Sequence, residues 1–215
     1  MTVLNKNNSM NYPKASSLTM YHKAYSCLAS KTSILLCTLF SFLLFTNCET
    51  DIPETDTTPP TFSFKISGDG FERTFTQDDD FDTFELYLKN NTTYNFLFTA
   101  GDAGGLRTME WDIEPKSLVE FLEPIEAPWS IVPNSFSDTM WIRWTETDRN
   151  NAKTGELLTG NFKCPVEFQN QQMYNMSFLF TVGDFGGDSG PSNTTSKRLH
   201  IVISNQNTAV FDIVI

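Results

Sequence analysis

The chain is expected to be all-β, with antiparallel sheets packed face to face. Three observations carry that expectation. Apolar and polar residues alternate with a period of two along several stretches after residue 60, the pattern of strands with one buried and one wetted face. A decapeptide that reads as a buried strand entering a glycine turn occurs twice, FLFTAGDAGG at 96–105 and FLFTVGDFGG at 178–187. No stretch after residue 48 combines a helical repeat with caps.

The elements follow in order. Phe62, Phe64 and Ile66 alternate with Ser63 and Lys65, which gives a first strand. Asp78, Asp79, Asp80 and Asp82 crowd one short stretch and read as a solvated loop. The first decapeptide supplies a buried strand and then a turn, where glycines accept positive φ and Asp102 can bond nearby amides. Met109, Trp111 and Ile113 alternate with Glu110, Asp112 and Glu114. Further on, Met140, Ile142 and Trp144 share one strand face, and Trp141 and Arg143 share the other. Phe162, Cys164, Val166 and Phe168 form another alternating set, then comes the second decapeptide with Asp184. Leu199, Ile201 and Ile203 follow, and Phe211, Ile213 and Ile215 close the chain. The repeated decapeptide admits two readings: two small domains in tandem, or two strands of one sandwich ending at the same pole. Neither half alone offers the about seven strands a sandwich needs, which favours the second.

The run 31–48, KTSILLCTLFSFLLFTNC, has a different character. Lys23 and Lys31 precede an apolar core from Ile34 to Phe45, the length of a signal-peptide core and short of the ~20 residues that span a bilayer. All 26 acidic residues lie after Cys48, whereas four of the 15 basic ones lie before it. The part that follows is therefore strongly acidic, which disfavours nucleic acid and anionic lipid surfaces as partners. Beyond residue 48 only Cys164 remains, so no disulfide framework or cysteine metal cluster is expected and stability must come from a hydrophobic core.

Phe45, Thr46 and Asn47 leading to Cys48 resemble the lipobox of bacterial lipoproteins, and the acidic residues just after it (Glu49, Asp51, Glu54, Asp56) resemble the export tags of Bacteroidetes surface lipoproteins. Asn47 departs from the usual small residue. The resemblance implies cleavage before Cys48, acylation of that cysteine, and residence in the cell envelope, lipid-anchored in the outer membrane and facing outward. The organisation expected is an N-terminal extension and signal peptide over 1–47, an acidic Pro-containing tether over 48–60, and one folded domain over 61–215. The Pro-rich approach at 56–60, the first strand, the GD-x-GG turn into a Trp-bearing strand and the Asp-x-Gly-Gly turn at 184–187 resemble bacterial immunoglobulin-like domains. Under that resemblance 61–66 is strand A, 93–100 B, 105–113 C, 173–182 F and 197–203 G, with Trp111 the buried tryptophan of strand C. The long separation of B from F implies an insertion around 114–160.

Candidate sites are few. Gly187-Asp188-Ser189-Gly190-Pro191 brushes against the serine-protease nucleophile segment, but no histidine precedes it after the leader, and a serine without a base is a weak nucleophile. The Asp78–Asp82 run fails the EF-hand pattern, with Thr83 at position six and Lys89 at position twelve. Asp102 and Asp184, in equivalent turns, are the candidate calcium ligands; no other cofactor is expected. Trp129, Trp141, Arg143 and Trp144 are the candidate ligand-binding residues, because an exposed indole beside a guanidinium can stack on a sugar ring. The function expected is non-catalytic: an envelope-anchored module that binds a glycan or a protein partner, with a structural subunit of a transport, conjugation or pilus complex as the alternative.

Overall fold

The structure is a computed structural model and describes residues 52–166 and 173–213. The apolar leader, Cys48, and the ends of the alternating sets at Phe168 and Ile215 lie outside the described residues. Thr50–Ile215 forms one compact unit, so both decapeptides belong to a single body.

The fold is all-β, an immunoglobulin-like sandwich. Its strands are β1 (Thr61–Gly68), β2 (Phe71–Thr76), β3 (Phe84–Lys89), β4 (Thr93–Glu114), β5 (Glu120–Phe121), β6 (Ser130–Pro133), β7 (Met140–Thr145), β8 (Lys153–Lys163), β9 (Tyr174–Asp184), β10 (Thr194–Ser204) and β11 (Ala209–Asp212). The first half of β4 lies between β1 and β8, which extend to β2 and β5. Its second half lies between β7 and β9, in the order β6-β7-β4-β9-β10-β3-β11. All pairs are antiparallel except β10 with β3. Thus β2, β1, the first half of β4, β8 and β5 form one layer, and β6, β7, the second half of β4, β9, β10, β3 and β11 the other, an arrangement in which A lies beside B, and C, F and G share a layer, as in immunoglobulin-like folds.

β4 belongs to both layers because it bends. Its register slips between Gly101 and Leu106 on β8, and between Leu106 and Thr108 on β9. Gly105 takes φ +84° at the bend. Sequence reading expected a turn joining two strands there; the chain instead passes through as one bulged strand, which turns a sheet corner without breaking pairing.

The layers meet through aromatic rings. Phe64 of one layer lies 4.6 Å from Phe180 of the other, Phe98 lies 5.1 Å from Phe180, and Phe96 lies 4.9 Å from Trp111. Trp111 is fully buried, with Phe178 edge-on at 4.8 Å. Such contacts contribute about 0.5–1.5 kcal/mol each beyond burial. Cys164 is buried as a free thiol, and burial pushes it up to about 12.

Three expectations about segments need correction. The stretch 114–160 is more than an insertion, since it supplies β7 and most of β8, which complete both layers. The strand expected over 162–168 begins earlier, at Lys153, and ends at Lys163, leaving Cys164 and Val166 buried beyond it. The tether expected over 48–60 is not free along its described part. Asp188 and Ser189 amides donate to the Pro53 and Glu54 carbonyls, each at 2.9 Å, and the Asp56 amide donates to the Gly186 carbonyl at 2.9 Å.

That docking explains the repeated turns. The Phe185 amide donates to Gly105 O at 2.8 Å and the Gly187 amide to Gly104 O at 3.0 Å, so the two turns clasp each other at one pole. The lead-in segment lies across them so closely that a Cβ on Gly187 would sit 2.4 Å from the Pro53 carbonyl oxygen.

Candidate functional site

Alternation in β7 sends Met140, Ile142 and Trp144 inward and leaves Trp141, Arg143 and Thr145 outward. In the second half of β4, Met109, Trp111 and Ile113 go inward while Glu110 and Asp112 face out. Register then decides which outward residues are neighbours: Arg143 opposes Glu110, and Trp141 opposes Asp112. On the far side Asp112 opposes Leu179, which opposes Arg198. On the near side Trp141 opposes Val132 of the edge strand β6. The outer face of this layer thus carries a row of Val132, Trp141, Asp112, Leu179 and Arg198.

Its electrostatics are concentrated around the indole. Arg143 Nε donates to Glu110 Oε2, and its guanidinium carbon lies 5.9 Å from the Trp141 ring centroid. Asp112 is half-buried, and its Oδ1 has no hydrogen-bond partner. Burial, and then the charge of Glu110 and a hydrogen bond with it, push the Asp112 carboxyl up to about 7, against the opposing pull of Arg143 and the Trp141 indole. A half-buried indole flanked by a guanidinium and a carboxylate can stack on a pyranose face and hydrogen-bond its hydroxyls, while Asp112 Oδ1 lies beneath the surface.

Sequence reading joined four residues as one binding group, and the structure divides them. Trp141 and Arg143 share the outer face. Trp144 is 3 % exposed and faces the core, and Trp129 is 7 % exposed with Nε1 donating to Leu157 O at 3.2 Å. Trp129 thereby covers the open edge of β8, where an uncovered strand would invite pairing with another chain. Neither buried indole offers a face to a ligand. In the sequence Glu110 and Asp112 look like ordinary wet-face residues; only register places them against Trp141.

At the pole, Asp102 and Asp184 occupy the two clasped turns but have different duties. Asp184 is fully buried, and both its oxygens accept from Asn193, from the amide and from Nδ2 at 2.9 Å. It holds the start of β10. Asp102 is half-buried, with Oδ2 accepting the Gly104 amide at 2.7 Å; burial, and then the Asp184 and Asp56 charges, push it up to about 6. Among the described residues no three His, Cys, Asp or Glu side chains converge as a metal cage. Ser189 hydroxyl donates to Glu54 O at 3.0 Å, while His200 lies along β10 opposite Ser177; the serine serves the docked segment. Among the described residues no helix is long and apolar enough to cross a membrane.

No protein-family model and no curated protein matches the chain. Among solved structures, the chain is similar to the crystal structure of a complex between a point variant of CaDoc0917 and CaCohA2 at pH 5.5. The identity is 13 % and the TM-score 0.32, over 58 % of this chain and 100 % of that one.

Proposed function

We propose that this protein is a lipid-anchored, non-catalytic module of the bacterial cell envelope that binds a glycan on the outer face of the β6-β7-β4-β9-β10 layer. The lipid anchor rests on the apolar run ending at Cys48 and the acidic residues after it. Binding rests on one observation above all: the half-buried Trp141 indole on the outer face, beside Arg143 and its partner Glu110. The acidic body suits a neutral or cationic ligand and opposes an anionic one.

A glycan panel immobilised from envelope and host polysaccharides tests this directly. Trp141→Ala is expected to weaken binding at least tenfold, with a melting temperature within about 2 °C of wild type, since a surface change typically alters stability by less than ~0.5 kcal/mol. Equal binding by wild type and variant refutes the reading. Separately, Cys48→Ala is expected to move the protein from the membrane fraction to the soluble one.

A second reading, a structural subunit of an envelope complex, is favoured by the β6–β7 hairpin. Phe136 at its tip is fully exposed, and Ile131 and Val132 on the edge strand are 39 % and 40 % exposed. Under that reading the native protein co-purifies with a stoichiometric partner, and Phe136→Ala releases it.

A further inference from the structure

The pole holds a carboxylate without a counter-ion. Asp56 lies in the lead-in segment and is 8 % exposed, yet its Oδ2 has no hydrogen-bond partner. The Thr58 amide bonds its other oxygen at 2.8 Å and, with the Thr58 hydroxyl and the nearby Gly104 and Thr57 amides, holds the carboxyl below its ordinary range, so Asp56 is an anion at neutral pH. The bare oxygen points to the first GD-x-GG turn: it lies 2.9 Å from where a Cβ on Gly104 would stand. The Gly104 amide donates to Asp102 at 2.7 Å and lies close enough to favour the Asp56 anion as well. Two carboxylates, from separate segments of the chain, therefore converge on one glycine. Around them a cleft of about 780 Å³ is lined by Thr55, Thr58, Thr61, Gly101 and Thr154 as well as the two aspartates.

A carboxylate oxygen left without a hydrogen bond, beside a second carboxylate, favours a cation shared between the two. Arg149, a cation at this pole, is already committed to the Phe185 and Gly190 carbonyls at 2.8 and 3.3 Å. We infer that Asp56 and Asp102 bind a divalent cation of the calcium type, which bridges the lead-in segment to the β4 bulge. The groups lining the cleft are all oxygen donors to a cation: two carboxylates and, beside them, threonine hydroxyls and main-chain carbonyls, with water completing the shell. That set suits a hard cation with loose geometry, and calcium accepts it more readily than magnesium, which demands a near-ideal octahedron. Only two carboxylates take part, so affinity falls in the weak range of extracellular modules, about 10⁻⁴–10⁻³ M. Asp184, with both oxygens held by Asn193, is not a ligand. The cation stiffens the join between domain and tether, independently of what the outer face binds.

The test uses the full chain in detergent, with calcium alone as the probe. Titration calorimetry is expected to show one calcium per chain in the wild type and none in Asp102→Asn. In EDTA, Asp102→Asn is expected to melt higher than wild type, because one of two facing charges has gone. Calcium at about ten times its dissociation constant is expected to raise the wild-type melting temperature by about 3–5 °C and to leave the variant unmoved. Asp56→Asn is the second variant, since it keeps the acceptor for Thr58. No calcium heat in the wild type, or equal heat in all three proteins, overturns the inference. So does stabilisation of Asp112→Asn by acid to pH 5 where calcium at pH 7.5 gives that variant none, since a proton at the pole is then the counter-ion.

Discussion

Gly187→Ala probes the docking of the lead-in segment. Gly187 has φ +82°, and its new Cβ would stand 2.4 Å from the Pro53 carbonyl oxygen and 3.1 Å from the Asp56 amide nitrogen. These are main-chain atoms, so no side chain can rotate away; the segment itself must lift. Lifting breaks the bonds from Asp188 to Pro53, from Ser189 to Glu54 and from Asp56 to Gly186. Holding alanine at positive φ costs about 1–2 kcal/mol. Three main-chain hydrogen bonds at about 1 kcal/mol each bring the total to roughly 4–5 kcal/mol. For a domain of this size each kcal/mol shifts the melting temperature by about 2–4 °C, so a drop on the order of 10–15 °C is expected. Gly70→Ala is the matched control: its φ is +74°, but nothing lies within 4 Å of the added methyl. It carries the conformational cost alone, a drop of about 2–8 °C. Calorimetry of both variants decides. Equal drops would falsify the claim that the segment is part of the folded body, and protease cutting within 53–60 in Gly187→Ala alone supports it.

Other consequences can be measured on the same footing. Trp111→Ala removes the indole at the centre of the aromatic cluster and is expected to cost about 3–5 kcal/mol, read as a lower denaturant midpoint. Stability is expected to fall as pH rises from about 4 to about 7. Asp102 and Asp112 are pushed up to about 6 and about 7 when folded, above the ~3.9 of an unfolded aspartate, so the folded state holds more protons across that window. Asp112→Asn should flatten the upper part of that slope, and a midpoint that rises with pH between 5 and 7 contradicts the assignment.

Much of the architecture was legible because alternation reports burial directly. Phe62, Phe64 and Ile66 alternate cleanly and form a strand that buries one face, whereas β10 starts from the same pattern but buries Val202 and Ser204 as well as Ile201 and Ile203. β2 escaped notice because it is an edge strand with one buried residue, Phe75. β3 lies directly after the acidic run, whose own role is local: Asp79 Oδ2 accepts the Thr76 amide at 2.7 Å and shapes the β2–β3 connection. The binding face was half legible. Two-residue periodicity separates Trp141 from Trp144, but which strand lies beside β7, and in what register, is a tertiary fact. That fact alone brings Glu110 and Asp112 to Trp141. Trp129 misled because a tryptophan in an irregular segment reads as available, whereas here it shields a strand edge. The twin GD-x-GG turns read as local devices, and their purpose lies in a third segment that docks on both.

The most direct test of the binding claim follows the four indole N–H resonances of the full chain, assigned by single Trp→Phe changes, during titration with a glycan retained on the panel. The Trp141 signal is expected to shift in proportion to saturation while those of Trp111, Trp129 and Trp144 hold still. Saturable binding that leaves Trp141 unmoved would contradict the claim.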